Sequence, residues 1–354
     1  MPLSTIILAA GQGTRMRSDL PKVLQALAGR PLLGHVLDCA ASLGADDVCV
    51  VYGHGGEAVR NAFPDGSLRW ALQSEQLGTG HALQQAMPDT PDENRVLVLF
   101  GDVPLLTPAT CQRLLDETPA GDVAVLTVDM ADPTGYGRII REGSKVSCIV
   151  EEKDAGPDER AVCEINTGVL LAPAAKLRGW LAGLGNDNAQ GEYYLTDAIA
   201  MAVNDGVDVH GIKADSWTEV MGINDKKQLA EAERALQARL VEELMQQGVG
   251  FADPARVDIR GTLKCGKDVF IDVNAVFEGD VELGDGVTIE SNNLVRDSRL
   301  GAGTLVHSNC HIEGADTGNE CEIGPFARMR PGARLANNVK VGNFVEIKKS
   351  TVAD

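Results

Sequence analysis

A six-residue repeat of apolar side chains in the last third of the chain constrains the fold more than any other feature. Thirteen such residues recur in three phased runs: Ile271, Phe277, Leu283, Ile289 and Val295, then Leu300, Val306 and Ile312, then Ile323, Met329, Leu335, Val341 and Ile347. Small or β-branched residues recur four positions later, at Ala275, Val281, Val287, Ala327, Ala333, Val339 and Val345. In a glycine-rich segment this step predicts a left-handed parallel β-helix with three short strands per coil. Ordinary alternating strands would instead show a step of two.

The repeat is still in phase at Ile347, seven residues before the last residue. Stacks of repeats need a polar or structured cap at each end. We therefore expect the natural protein to be longer and this chain to be truncated within the β-helix domain.

A connecting helix is predicted immediately before the repeat. Residues 225–247 are rich in Ala, Glu, Leu and Gln, and apolar residues share one helical face. These are Leu229, Ala232, Leu236, Leu240 and Leu244. The expected domains are therefore a first domain at 1–226, a linker helix at 227–248 and a β-helix at 249–354.

The first domain alternates short apolar runs with amphipathic segments, which predicts a doubly wound α/β sheet of Rossmann-like type. Buried parallel strands are expected at Ile6–Ala10, Val48–Tyr52 and Val96–Phe100, and helices at Leu32–Leu43 and Gly80–Ala86. Ligands of such sheets bind outside the carboxyl ends of the strands, so the residues that follow these strands are candidates for a site.

The first strand continues into the glycine-rich turn Gly11–Lys22, where backbone N–H groups can approach phosphates. The turn lacks the Lys-Ser/Thr pair of a P-loop, and Met16 stands where a dinucleotide fingerprint needs a third glycine. Arg15 and Lys22 add two cations to the same loop, which suits a phosphoryl transition state.

The string L-A-A-G-x-G-T-R-M-x-x-x-x-P-K resembles the signature of sugar-nucleotide pyrophosphorylases. Further motifs narrow the resemblance to the bacterial bifunctional N-acetylglucosamine-1-phosphate uridylyltransferase / glucosamine-1-phosphate N-acetyltransferase family. They are V-Y-G-H-G-G at 51–56, Q-S-E-Q-L-G-T-G-H at 73–81, G-D-V-P at 101–104, D-P-T-G-Y-G-R at 132–138, E-I-N-T-G at 164–168, Q-G-E-Y-Y-L-T-D at 190–197 and N-F-V-E-I-K-K at 343–349. The resemblance extends from Ile6 to the last residues.

This resemblance implies Mg²⁺-dependent transfer of UMP from UTP to N-acetylglucosamine-1-phosphate, giving UDP-N-acetylglucosamine for peptidoglycan and lipopolysaccharide synthesis. It makes Asp102 and Asn224 the metal ligands, although Asn224 could instead cap the connecting helix. Arg15, Lys22 and Asp102 would be the catalytic residues. The implied substrate-binding positions of this domain are Leu8, Ala9, Ala10, Gly11, Lys22, Gln73, Gly78, Thr79, Phe100, Gly101, Asp102, Gly137, Glu151, Asn166 and Asn224. Of these, Gln73, Gly78 and Thr79 would bind uracil, and Gly137, Glu151 and Asn166 the sugar.

The same resemblance gives the second domain an acetyltransferase role with acetyl-CoA and glucosamine-1-phosphate. Arg330 and Lys348 match positions that bind the sugar phosphate, but they could also be solvated residues on a β-helix face. The family's histidine base lies beyond the last residue, so we expect this chain to lack acetyl transfer. His307 and His311 do not match that base, and metal binding by them is not expected. Relatives pack three β-helices side by side, which implies a homotrimer.

Charge and composition exclude several other classes. The net charge of −19 disfavours binding to nucleic acid or anionic membranes. The eight cysteines form no C-x-x-C pair, and neither a signal peptide nor an apolar run of membrane-spanning length is evident. These features indicate free thiols and a cytoplasmic protein.

Two alternatives remain open from the residues alone. One is a thymidylyl- or adenylyltransferase acting on glucose-1-phosphate, although Gln73, the Gly78-Thr79 pair and the 166–168 motif favour uridine and N-acetylglucosamine. The other is a non-catalytic scaffold subunit. Such a subunit should lose its charged residues first, yet the three expected catalytic residues are all present.

Overall fold

The first strand, predicted at Ile6–Ala10, spans Leu3–Leu8 and lies in the middle of a mixed sheet in a computed structural model that describes residues 2–53, 55–64 and 66–353. The chain forms two units, Met1–Gln25 with Pro31–Leu229, and Ala26–Arg30 with Ala230–Asp354. The domain boundaries expected at 226 and 248 stay a prediction. His54, part of the 51–56 motif, lies outside the described residues.

The sheet of the first unit has nine strands. They are β1 Leu3–Leu8, β2 Asp47–Tyr52, β3 Arg69–Leu72, β4 Arg95–Phe100, β5 Val123–Asp129, β6 Arg138–Glu142, β7 Lys145–Val150, β8 Glu164–Pro173 and β9 Val209–Lys213. The order is β9-β5-β8-β4-β1-β2-β3, and the β6–β7 hairpin joins β8. The three predicted strands pair in parallel, as expected. By contrast β8 is antiparallel to β4 and β5, so its amino end lies at the same edge as the carboxyl ends of β1 and β4.

The helices of the chain connect these strands and then the two units. They are α1 Leu32–Ser42, α2 Gly56–Ala62, α3 Thr79–Ala86, α4 Pro108–Glu117, α5 Pro157–Arg160, α6 Ala174–Ala182, α7 Asp197–Asn204 and α8 Lys226–Gln246. Two apolar clusters of the first unit contain residues of the central strands, as the doubly wound prediction requires. None of the helices within the described residues is long and apolar enough to cross a bilayer.

The connecting helix α8 buries a slightly different face from the one predicted. Leu229 and Leu240 are only half-buried, whereas Gln237 and Val241 are buried. The Gln237 amide donates to the carbonyl oxygen of Ile259 at 2.8 Å and accepts from its N–H at 2.7 Å. A fully paired amide can be buried without penalty, and this pairing rotates the helix toward Gln237.

The second unit is the predicted parallel β-helix. Its strands are β10 Gly250–Phe251, β11 Val257–Cys265, β12 Phe270–Ile271, β13 Ala275–Leu283, β14 Thr288–Ile289, β15 Leu294–Arg296, β16 Arg299–Leu300, β17 Leu305–Val306, β18 His311–Glu313, β19 Asp316–Thr317, β20 Glu322–Ile323, β21 Arg328–Met329, β22 Arg334–Leu335, β23 Lys340–Val341, β24 Glu346–Ile347 and β25 Thr351–Val352. All pair in parallel with strands one coil away. Of the thirteen repeat residues, twelve are buried and only Ile347 is half-buried.

Charges alternate in sign along three columns of stacked coils on the outside of the β-helix. The columns are Arg260, Glu278, Arg296 and Glu313; then Lys264, Glu282, Arg299, Asp316 and Arg334; then Glu290, His307, Glu322 and Lys340. Each exposed pair contributes little to stability on its own, because solvent screens the charges. Within each column, every side chain between the two ends has opposite charges on the coils above and below.

His307 makes the third column sensitive to pH. Its Nδ1 lies 3.2 Å from Glu290 Oε1 and its Nε2 lies 3.1 Å from Glu322 Oε1. The hydrogen bond with Glu322, and then Glu290, raises the pKa of His307 above its usual 6.5, although burial opposes this. The stabilisation is therefore fully present below pH 6.5 and is lost as pH rises through the raised pKa.

We expect His307→Gln to lower the melting temperature more at about pH 6 than at about pH 9, because only the protonated imidazole bridges both carboxylates. His311→Gln is a suitable control, since His311 Nε2 is 3.9 Å from its nearest carboxylate, Glu313. Thermal unfolding of both variants and the parent at the two pH values measures the difference. An equal loss at both values would contradict the bridging role.

Candidate active site

Lys22, Asp102 and Asn224 come together at the carboxyl edge of the first sheet. Asp102 follows β4, and its backbone carbonyl accepts a hydrogen bond from Ile223 N–H at 2.9 Å, which places Asn224 beside it. The Lys22 ammonium pairs with the Asp102 carboxylate and donates to Asn224 Oδ1 at 3.1 Å. Only 11% of the Lys22 side chain and 18% of the Asp102 side chain are exposed, so these charges attract in a partly desolvated place.

Asn224 does not cap the connecting helix. Helix α8 begins at Lys226, and the Asp225 carboxylate accepts from Gln228 N–H at 2.8 Å, as an N-cap residue does. The Asn224 amide oxygen instead faces the Lys22 ammonium. The structure therefore removes the alternative of a purely structural role as the cap.

The glycine-rich turn gives Lys22 its position. Gly13 has a φ of +62°, and a Cβ atom there would lie 2.6 Å from Lys22 Cβ. A glycine is therefore required for the lysine stem to pass. Gly11 differs, because a Cβ atom there would meet nothing within 4 Å.

Arg15 is not joined to this group. It is exposed on the turn and makes no hydrogen bond or ion pair with any residue in the described ranges. Its charge does reach Tyr136: burial raises the pKa of the Tyr136 hydroxyl, the positive charge of Arg15 opposes this rise, and Asp102 adds to it.

Most of the predicted nucleotide-binding residues line one cavity at this edge. These are Leu8, Ala9, Ala10, Gly11, Lys22, Gln73, Gly78, Thr79, Phe100 and Asp102. Gly101 lies behind the wall, where a Cβ atom would be 3.1 Å from Ala9 Cβ. Gln76 and Glu192 also line the cavity and had not been predicted.

The orientation of the Gln73 amide is fixed. Its Nε2 donates to the Gly78 carbonyl oxygen at 3.1 Å and lies 3.2 Å from His81 Nδ1. A carbonyl oxygen can only accept, so the nitrogen of the amide must face Gly78. Gln73 Oε1 has no partner among the described residues and remains available to a donor on a ligand.

Gly78 and Thr79 hold the segment that follows Gln73 against the 188–196 loop. Gly78 has a φ of +107°, and a Cβ atom there would lie 2.7 Å from the Tyr193 carbonyl oxygen. The Thr79 hydroxyl accepts from Leu195 N–H at 3.2 Å. The Thr79 side chain is thus engaged with the protein as well as lining the cavity.

A second cavity adjoins the first, and Thr79 and Phe100 line both. It contains the three predicted sugar-binding residues, Gly137, Glu151 and Asn166. The Gly137 carbonyl oxygen accepts from Asn166 N–H at 2.8 Å, and Asn166 Oδ1 accepts from Gly168 N–H at 3.0 Å. The antiparallel direction of β8 explains why Asn166, near its amino end, lies at this edge.

Glu151 is the ionisable group of the second cavity. Burial raises the pKa of its carboxyl, and the nearby carboxylates of Asp197, Asp154 and Glu192 raise it further. A hydrogen bond from the Thr196 hydroxyl, at 2.9 Å, acts in the opposite direction.

Several residues of this cavity were missed by the sequence analysis, namely Tyr136, Gly168 and Thr196. All three lie inside the quoted motifs, which was the available signal. Gly168 has a φ of +90°, and a Cβ atom there would lie 2.5 Å from the Phe100 ring. It is therefore needed for the wall that the two cavities share.

Arg330 and Lys348 stack in the second unit. The pairing of β21 with β24 places Arg330 opposite Lys348, and Arg330 N–H donates to Ile347 O at 2.9 Å. Arg330 lies one coil after Glu313 of the first charge column, and Lys348 lies one coil after Arg330. Two cations are therefore adjacent where continued alternation would place an anion. Glu346 pairs with Arg330 at 2.9 Å, whereas Lys348 is exposed.

The chain is similar to known proteins in sequence. The MobA-like NTP transferase domain matches residues 5–155. The bifunctional protein GlmU of Azoarcus sp. (strain BH72) is 56% identical over 354 residues, which cover 99% of this chain and 78% of that protein. GlmU of Aromatoleum aromaticum is 55% identical over 353 residues with the same coverage.

Solved structures show the same fold in the first unit. A putative glucose-1-phosphate thymidylyltransferase from Bacillus anthracis superimposes with a TM-score of 0.55 and 20% identity, covering 66% of this chain and 94% of that one. A UDP-glucose pyrophosphorylase complexed with UDP-glucose gives a TM-score of 0.53 and 16% identity, covering 68% and 100%. The high identity to full-length curated relatives, which this chain covers over most of their length, shows that it belongs to the family of the bifunctional nucleotidyltransferase and acetyltransferase GlmU.

Proposed function

We propose that this protein transfers UMP from UTP to N-acetylglucosamine-1-phosphate with Mg²⁺, giving UDP-N-acetylglucosamine and pyrophosphate. The observation that carries the proposal is the pair of adjoining cavities, one with Lys22 and Asp102 and one with Glu151 and Asn166. Their shared wall at Phe100 would bring a nucleotide and a sugar phosphate into contact.

The residues present fit a magnesium ion. The Asp102 carboxylate and the Asn224 carbonyl oxygen already bind one cation, the Lys22 ammonium, and both are oxygen ligands of the kind Mg²⁺ prefers. No group of three or more His, Cys, Asp or Glu residues in the described ranges forms a metal cage. Two protein ligands with phosphates and water are the usual arrangement for Mg²⁺, which when bound would neutralise phosphate charge.

The chemistry is a direct displacement. An oxygen of the sugar phosphate attacks the α-phosphorus of UTP, a new P–O bond forms, and the bond to pyrophosphate breaks with its electrons on the departing oxygen. Lys22 would neutralise charge that develops on the phosphates, and Arg15, which is exposed, would bind the departing pyrophosphate. No covalent enzyme intermediate is required.

Gln73 would favour uracil over cytosine. Its free Oε1 would accept from the N3–H donor of uracil, whereas cytosine presents an acceptor at N3. The nearby Gly78, without a side chain, would let the ring lie against backbone. Sites that pair buried polar groups reject ligands that leave those groups unpaired.

Release of pyrophosphate tests the proposal, with UTP, CTP, dTTP and ATP each offered against N-acetylglucosamine-1-phosphate and glucose-1-phosphate in the presence of Mg²⁺. We expect turnover with UTP and N-acetylglucosamine-1-phosphate. Exclusive use of dTTP or ATP with glucose-1-phosphate would overturn the assignment and favour the alternative nucleotidyltransferase.

Glu151 should give sugar binding a pH dependence. Its anion accepts hydrogen bonds from the sugar, and its raised pKa means that the neutral acid persists above the usual glutamate value of about 4.3. We expect KM for the sugar phosphate to rise as pH falls through that raised pKa. Glu151→Gln should lose this rise while keeping any titration of the substrate itself, and identical profiles for the two proteins would contradict the role.

The second unit would bind a sugar phosphate at Arg330 and Lys348, whose adjacent positive charges suit an anion. Its acetyl donor would be acetyl-CoA. The expectation that this chain transfers no acetyl group stays a prediction, which thiol release from acetyl-CoA with glucosamine-1-phosphate checks. We also propose a cytoplasmic homotrimer with threefold symmetry, and a monomeric mass in light scattering at micromolar concentration would count against it.

A further inference from the structure

Arg138 is a buried charge with an incomplete set of partners. It is the first residue of β6, and 2% of it is exposed. Its Nη1 donates to the Tyr136 carbonyl oxygen, and its Nη2 donates to Glu152 Oε2 at 2.5 Å. Its Nε is buried without a partner within the described residues. Burying this charge with one N–H group unpaired lowers the stability of the folded protein, so the residue is a candidate for a role beyond stability.

The partners of Arg138 are the backbone and side chain next to the second cavity. Tyr136 and Gly137 line that cavity, and Glu152 directly follows Glu151. The guanidinium therefore connects the 135–137 turn with the segment directly after β7, which carries the ionisable residue of the cavity.

The strand pairing of Arg138 also brings it next to the segment that contains Asn166, the third predicted sugar-binding residue. Arg138 lies opposite Val150 of β7 and opposite Ile165 of β8. Its neighbour Gly137 accepts the hydrogen bond from Asn166 N–H. Gly137, Glu151 and Asn166 are thus each adjacent in sequence to a residue that hydrogen-bonds or pairs with Arg138, namely Tyr136, Glu152 and Ile165.

We propose that Arg138 is a positioning residue for the sugar phosphate, an inference that rests on the proposed function. It does not line either cavity. It fixes Glu151 relative to Gly137 and Asn166 by holding Glu152 and the Tyr136 carbonyl oxygen at the same time. Apart from Glu192, the residues that line the nucleotide cavity lie at the ends of β1, β3 and β4 or in the segments that follow them, and none of the lining residues is hydrogen-bonded to Arg138.

The planar guanidinium is essential to this role. Its two terminal nitrogens reach two acceptors in fixed directions, whereas a lysine ammonium is a single point charge. Arg138→Lys keeps the charge and removes the fork, Arg138→Met removes both, and Glu152→Gln keeps the fork and weakens one acceptor.

The experiment measures KM for each substrate, kcat and melting temperature for these three variants. Arg95→Met is the matched control, because Arg95 also lies on a strand and donates to two backbone carbonyls, Leu115 O at 3.0 Å and Thr118 O at 3.2 Å, but at the opposite end of β4 from the site. Glu152 is 29% exposed, so Glu152→Gln should fold even if Arg138→Met does not.

We expect KM for N-acetylglucosamine-1-phosphate to rise about 10-fold in Arg138→Lys and Glu152→Gln and about 100-fold in Arg138→Met, with KM for UTP nearly unchanged. Arg95→Met should affect melting temperature alone. Unchanged KM values in Arg138→Lys and Glu152→Gln, or equal increases for both substrates, would overturn the inference. Failure of the unmodified protein to form UDP-N-acetylglucosamine would instead overturn the proposed function.

Discussion

Asp102→Ala is expected to lower Mg²⁺-dependent turnover by about 10²–10³-fold while the protein remains folded. The Asp102 carboxylate is the strongest partner of the Lys22 ammonium and supplies one of the two oxygens proposed for the metal. Removing the carboxylate leaves Asn224 as the remaining side-chain partner of Lys22. The substitution also removes a negative charge from the position where the phosphates and the metal would bind. Steady-state pyrophosphate release at saturating UTP and sugar phosphate measures the loss.

Two further variants separate metal binding from a merely structural effect. Asp102→Asn keeps an oxygen ligand, so it should require more Mg²⁺ for half-maximal rate and recover part of its activity at high Mg²⁺. Asp47→Ala removes the carboxylate of a similarly buried pair, Arg69–Asp47 at 2.7 Å, far from the site at the amino end of β2. Near-normal turnover of Asp102→Ala would remove this residue from the mechanism, and so would an equal loss in Asp47→Ala.

Lys22→Ala is expected to lower turnover less than Asp102→Ala, because other groups also neutralise the phosphates. A melting temperature equal to that of the unmodified protein would show that the variant is folded and that the loss is one of catalysis.

Gly11→Ala is expected to raise KM for UTP by about 100-fold without changing the melting temperature. A methyl group at Gly11 meets no protein atom within 4 Å, and the backbone there needs no positive φ. The protein alone therefore tolerates the alanine. A nucleotide lying against this backbone would not, because the methyl group would occupy its space.

Gly78→Ala and Gly179→Ala serve as the two comparisons. Gly78 has a positive φ and close backbone neighbours, so its substitution should lower both stability and activity. Gly179, in α6, has open space around it and lies outside the cavity, so its substitution should change neither UTP binding nor turnover. An unchanged KM in Gly11→Ala would mean that UTP does not approach the first turn.

The sequence predicted the β-helix well because each six-residue repeat must supply one inward-facing apolar side chain. Apolar residues therefore recur at every sixth position. It also predicted the strands that carry Gly11 and Asp102, since both are continuous apolar runs. The antiparallel strand β8 was not predicted, because a strand buried on both faces shows no direction in its composition. Likewise Thr196 and Glu151 are 45 residues apart in sequence, and nothing local indicates that they share a hydrogen bond.

Most candidate residues were found by their motifs, whereas Arg15 and Lys22 were also indicated by their positive charges on the glycine-rich turn. The structure brings Asp102 and Asn224 within hydrogen-bonding distance of the Lys22 ammonium, but it leaves Arg15 apart on an exposed turn. The burial of Arg138 could not be inferred, because arginine is ordinarily exposed and its partners lie in the preceding turn and in the segment that follows the neighbouring strand.

Because the charge columns alternate in sign, an odd and an even number of coils are not equivalent in the β-helix. Backbone pairing repeats after one coil, but the sign of the charges repeats only after two. Deleting residues 278–295 would preserve the strand register and yet stack Arg260 on Arg296, whereas deleting residues 278–312 would stack Arg260 on Glu313. Coils should therefore be gained or lost more easily in pairs than singly, so that an even change in length is tolerated and an odd one is selected against.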